Sequence, residues 1–127
     1  MTGVTYDTGA LLAAERNDRR MWALHAGFLT EETAPVVPAP VLAQAWRGGA
    51  RQASMSRLLA FCQVEALSEG IARAVGVLAG ESGHPDVVDV AVVEGAARRR
   101  DGIVTSDPND LAKVIPVTGL SLAVLSV

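Results

Sequence analysis

The residues of this chain best suited to chemistry are five aspartates: Asp7, Asp86, Asp89, Asp107 and Asp110. Asp7 closes a short apolar run, Val4-Thr5-Tyr6, and Asp107 follows Ile103-Val104-Thr105-Ser106. Asp86 and Asp89 lie three apart, so a helix starting there carries both on one face, and Asp110 stands in the same relation to Asp107. Carboxylates gathered together cannot all stay ionised without a compensating charge. Helix N-termini supply part of it. A hard divalent cation, Mg²⁺ or Mn²⁺, takes oxygen ligands and supplies the rest. One or two such ions activate water and stabilise the oxyanions of a phosphodiester displacement. Taken singly, Asp86 and Asp107 read equally well as helix caps. Asp7 ends a strand with no turn signal beside it, so Asp7, Asp89 and Asp107 together are a stronger signal than any one of them.

The elements that must position these acids alternate between strand and helix. Strands are expected at Val4 to Asp7, Pro35 to Pro38, Cys62 to Leu67 and Ile103 to Thr105, with a final strand within Leu120 to Val127. Helices are expected from Thr8, after an Asp18 cap, over Ala39 to Arg47, near Ser54 to Ala60, after a Ser68 cap, and from Pro85-Asp86 to Arg100. Asp107-Pro108 starts a short helix through Ala112. This alternation argues for an α/β fold, a three-layer α/β/α sandwich with a mainly parallel central sheet. Ligands of such sheets bind outside the carboxyl ends of the strands. Asp7 and Asp107 share that edge if their strands are parallel and central.

Composition narrows the function classes. The chain has 127 residues, half of them hydrophobic and a fifth charged, which suits one domain spanning 1–127 and excludes a disordered chain. A single cysteine, Cys62, and two separated histidines, His25 and His84, exclude an internal disulfide and a structural zinc site. No apolar run is long enough for a signal peptide or a membrane span, and the expected compartment is a reducing cytoplasm. The net charge of −3 argues weakly against nucleic acid. Five of the fourteen acids are, however, assigned to one pocket, where bound metal offsets their charge. The positive charge left on the surface is carried almost wholly by arginine, since Lys113 is the only lysine.

Three stretches carry a family resemblance over essentially the whole length. They are Val4-Thr5-Tyr6-Asp7-Thr8-Gly9-Ala10-Leu11-Leu12, Pro85-Asp86-Val87-Val88-Asp89-Val90-Ala91, and Gly102-Ile103-Val104-Thr105-Ser106-Asp107-Pro108-Asn109-Asp110-Leu111. In order and spacing the chain resembles the PIN domains, the metal-dependent ribonucleases that include VapC-type toxins of bacterial toxin–antitoxin pairs. The resemblance implies that Asp7, Asp89 and Asp107 bind metal and serve catalysis, with Asp110 as a further ligand and Asp86 as a supporting acid. It implies that Thr105 and Ser106 orient a water or a phosphate. It also implies a homodimer, an RNA substrate and a cognate antitoxin. One position departs from the pattern: Gln44 stands where the family places a glutamate. Glutamine supplies neither negative charge nor a base, so one tightly bound ion, or weaker metal binding, is expected.

Arg47 and Arg51 follow Gln44 and are candidate RNA-phosphate contacts. The alternative reading is a PIN-fold binding or regulatory module that has lost catalysis. A remoter one is an aspartate-nucleophile phosphatase, which needs a second acid where Gly9 stands and a lysine placed before the late acidic motif. Cys62, His25, Trp22 and Trp46 are read as structural, and His84 as a loop residue beside the acids. Trp46, Met55 and Leu58 are read as an exposed apolar patch suited to an interface.

Overall fold

The chain is described as a computed structural model over residues 2–127. Five strands, β1 (Val4–Tyr6), β2 (Val36–Pro38), β3 (Gln63–Glu65), β4 (Gly102–Thr105) and β5 (Val124–Ser126), form one sheet in the order β3-β2-β1-β4-β5. Every pairing is parallel. The helices are α1 (Thr8–Glu15), α2 (Arg19–Thr30), α3 (Ala39–Ala45), α4 (Ala53–Leu59), α5 (Glu69–Ser82) and α6 (Val87–Arg99), with short 3₁₀ turns at Ala50–Gln52, Pro108–Leu111 and Ile115–Thr118. The result is the expected three-layer α/β/α arrangement, with a sheet that is wholly rather than mainly parallel.

The central strands are buried from both sides, which is why they read as continuous apolar runs. Val4, Thr5 and Tyr6 of β1 and Ile103, Val104 and Thr105 of β4 are fully buried. α1 packs on β1 and β4, and α6 crosses β1, β2 and β4. Leu11, Met21, Leu58, Ile103 and Leu111 are fully enclosed, and each such side chain contributes about 2 kcal/mol by leaving water. Helix starts follow local chemistry. The Asp18 carboxylate accepts from Met21 N at 2.8 Å, and the Ser68 hydroxyl oxygen accepts from Ile71 N at 3.2 Å. α5 stops at Gly83, whose φ of 67° is the left-handed conformation that glycine adopts without strain.

Several expectations change. The final strand held within Leu120 to Val127 is β5, which pairs with Ile103 to Thr105 of β4. Cys62 lies in the turn before β3 rather than in a strand, with its thiol against the Leu58 carbonyl, and burial pushes that thiol up to about 12. Met55 and Leu58 are fully buried under α1, so of the proposed patch only Trp46 is exposed. His25 is enclosed completely. Burial keeps the Tyr6 hydroxyl protonated; it meets His25 Nδ1 at 2.8 Å, and His25 Nε2 has no partner among the described residues.

The arginines ending α6 are not solvated caps. Arg99 bonds the buried Asp101 at 2.9 Å, the Thr5 hydroxyl at 2.9 Å and Glu65 at 2.7 Å. Arg98 bridges Glu65 and Glu94. This network ties α6 to β1 and β3 behind the sheet edge that carries the acids, and the two guanidiniums hold the Glu65 carboxyl below its usual range. Among the described residues no helix is long and apolar enough to cross a membrane.

Candidate active site

β1 and β4 are neighbours, with Tyr6 opposite Val104, so the next residues along, Asp7 and Thr105, come together at the carboxyl edge of the sheet. Asp7 caps α1: its Oδ1 accepts from Ala10 N at 2.9 Å. The Thr105 hydroxyl lies beside its carboxylate. Asp7 is only 7% exposed. Burial is the largest influence on it and raises its pKa to about 6. The Thr105 hydroxyl and the bond from Ala10 pull the other way, and the charges of Asp89 and Asp110 push it up further.

Asp89 sits in the first turn of α6. Burial raises its pKa, the hydrogen bond to His84 opposes that, and the charges of Asp86 and Asp110 add to the rise. His84 Nε2 meets Asp89 Oδ2 at 2.9 Å. His84 is therefore a partner of the acidic cluster, a role its loop position in the sequence does not reveal. The clue was its distance of five residues from Asp89 across the start of a helix.

The remaining acids divide between capping and charge. Asp86 caps α6, accepting from Val88 N at 2.9 Å and Asp89 N at 3.4 Å. Asp107 is exposed and caps the 3₁₀ turn through Asn109 N at 3.2 Å, while its own N–H donates to Thr105 Oγ1 at 3.0 Å. Asp110 is the acid from this turn whose charge reaches both Asp7 and Asp89. Ser106 is exposed and lies over Gly9 so closely that a Cβ there would collide with its hydroxyl. Glycine at position 9 is what allows the β4 loop to approach α1. On the other flank, the Thr8 hydroxyl donates to Gln44 Oε1 at 2.5 Å. Arg47 and Arg51 line a groove that begins at Gln44, away from the carboxylates.

The cluster is a set of oxygen donors with an excess of negative charge. Among the described residues, no arginine or lysine pairs with Asp7, Asp86, Asp89, Asp107 or Asp110; His84 is the one basic partner. That chemistry fits a hard cation. The side chains do not form a closed cage: among the described residues, no three His, Cys, Asp or Glu groups are gathered so as to hold a metal. The fit is to a hydrated ion on one or two carboxylates, the mode in which Mg²⁺ keeps several waters.

No known protein family and no curated protein matches this sequence. Solved structures do match. A chain of VapBC2 from Rickettsia felis, determined bound to a DNA fragment from its promoter, superposes with a TM-score of 0.74 at 13% identity over 98% of both chains. PAE2754 from Pyrobaculum aerophilum gives 0.66 at 17% identity, over 97% of this chain and 83% of that one. A toxin–antitoxin complex from Klebsiella pneumoniae gives 0.63 at 18% identity, over 87% and 91%. The fold is PIN-like. At these identities the likeness fixes the PIN-like architecture alone and leaves the chemistry to the residues.

Proposed function

We propose that this chain is a divalent-cation-dependent endoribonuclease, the toxin of a toxin–antitoxin pair. The observation that carries the reading is Asp7: a buried carboxylate raised to about 6, facing Asp89 and Asp110 at the carboxyl edge of two paired strands. Burial raises it most and the neighbouring charges add to the rise; a bound cation would favour its ionised form. Asp7 and Asp89, with Asp110, Asp107 and Gln44 at the margin, would hold Mg²⁺ or Mn²⁺. When bound, that ion supplies positive charge to the carboxylates and polarises the phosphodiester.

The chain's own residues do the rest. Ala10 N–H holds the Asp7 carboxylate, and enclosure keeps bulk water from screening it. His84 orients Asp89 through its Nε2, 2.9 Å from Asp89 Oδ2. Ser106, exposed beside this edge, offers a hydroxyl to a phosphate oxygen. Arg47 and Arg51 would bind flanking phosphates. The toxin–antitoxin structures that share the fold support an antitoxin partner, and a homodimer is the expected assembly.

Gln44 supports a second reading. An uncharged side chain bonded to Thr8, in a site where no three metal-binding groups meet, also suits a binding module without catalysis. Cleavage of single-stranded RNA in millimolar Mn²⁺ separates the two. The nuclease reading predicts products that disappear with EDTA and with Asp7→Asn. No cleavage and no Mn²⁺ uptake by calorimetry would establish the binding module.

A further inference from the structure

Beside Gln44 a groove of about 600 Å³ opens between α1, α3 and the turn after α3. None of the five aspartates lines it; its link to the acidic site is Gln44, which bonds Thr8, the residue after Asp7. Leu12 gives it an apolar floor and Glu15, at the end of α1, stands in its wall. Asp7 and Glu15 are eight residues apart along that helix, about 12 Å. The opposite wall carries Arg47 and Arg51. Buried Gln52 fixes this wall: its Oε1 accepts from Arg47 N and Gly48 N, both at 2.8 Å, and its Nε2 donates to Ala45 O at 3.0 Å. Among the described residues, no ion pair involves Glu15, Arg47 or Arg51. The groove thus holds a carboxylate and two guanidiniums without ion-pair partners around an apolar floor, the Arg47 guanidinium donating to the Trp46 carbonyl at 2.7 Å and the Ala43 carbonyl at 3.4 Å.

We propose that this groove is the subsite for a nucleotide flanking the scissile phosphate, and that Glu15 selects guanine there. This rests on the nuclease reading above. A carboxylate is an acceptor with two parallel oxygens. Guanine is the base that presents two N–H groups, N1 and N2, side by side on one edge. Adenine and cytosine present one amino group there and uracil one imide N–H. Single-stranded RNA exposes these edges, so a protein reads them directly. The arginines contact phosphate without regard to sequence. Arg47, Arg51 and Glu15 therefore divide affinity from specificity.

The test is fluorescence anisotropy with labelled single-stranded RNA heptamers and the full chain carrying Asp7→Asn, which spares the probe from cleavage. Three probes are used: oligouridine, oligouridine with a central guanosine, and the same with inosine, which lacks the N2 amino group. The guanosine heptamer should bind roughly tenfold more tightly than the other two, the effect of one charge-assisted hydrogen bond. Glu15→Ala should bring it to the level of oligouridine. Arg51→Ala should weaken all three alike. Equal binding of guanosine and inosine, or a guanosine preference that survives Glu15→Ala, would overturn the assignment of Glu15 while leaving the nuclease reading standing. Failure of every heptamer to bind would overturn the nuclease reading itself, and the subsite with it. Tight binding of a peptide rich in Arg and Glu, with no base preference among the RNAs, would give the groove to a protein partner instead.

Discussion

Asp7→Asn should make the cation-free protein more stable while ending its activity. The native pKa of Asp7 is about 6, against 3.8 for the ordinary group. A carboxyl raised on folding favours the native state in its protonated form. It therefore opposes folding fully above about pH 6 and not at all well below 3.8. Keeping Asp7 ionised at pH 7.5 costs about 3 kcal/mol, from 1.36 kcal/mol per pKa unit. Asparagine removes that cost and retains an oxygen to accept from Ala10 N. For a chain of this size, about 3 kcal/mol is roughly 10 °C in Tm. The assay is calorimetric melting of both proteins in EDTA at pH 7.5 and pH 4. At pH 7.5 the variant should melt higher, and at pH 4 the two should nearly coincide. A variant that melts lower at pH 7.5, or a gap that widens as pH falls, would refute the reasoning. Functional sites commonly hold such unfavourable charge, and its removal then stabilises.

Three further outcomes follow from the same geometry. Millimolar Mn²⁺ should raise the Tm of the wild-type protein and leave Asp7→Asn almost unmoved, because the ion stabilises only the state it binds; equal shifts in scanning fluorimetry would place the ion elsewhere. Gln44→Glu should tighten Mn²⁺ binding by roughly tenfold in titration calorimetry, since it returns a carboxylate to the margin of the site while Thr8 still has an acceptor; unchanged affinity would remove position 44 from the site. Asp101→Ala should cost about 3 kcal/mol in urea unfolding, because it leaves the Arg99 guanidinium and the Thr5 hydroxyl short of a buried partner; a loss under 1 kcal/mol would show the network to be slack.

Signals that live in local chemistry were legible in the sequence. Asp18, Ser68 and Asp86 cap the helices they announce, and Val4 to Tyr6 and Ile103 to Thr105 are buried strands that read as apolar runs. That Asp7 stands at the carboxyl edge followed once β1 and β4 were placed side by side. Features that depend on distant partners were not legible. Met55 and Leu58 look like a surface stripe until α1 covers them. Arg98 and Arg99 look like ordinary helix-end cations, but Glu65, more than thirty residues away, pairs with both. In the sequence Asp107 looks the stronger of Asp107 and Asp110, because it follows the strand. Only the 3₁₀ turn shows that the first caps its own backbone while the second presents charge to Asp7 and Asp89. Gln52 carries no motif at all, because its role is to bond backbone five and seven residues behind it.

Whether Asp7 and its neighbouring acids form a cation-dependent nuclease site is decided by a cleavage assay. Wild-type protein and Asp7→Asn, each shown by calorimetry to be folded, are incubated with labelled single-stranded RNA in millimolar Mn²⁺, and the products are resolved by length. Cleavage is expected from the wild-type chain, with none in EDTA and none by a variant that is nonetheless the more stable protein without cation. Undiminished Mn²⁺-dependent cleavage by Asp7→Asn would contradict that assignment.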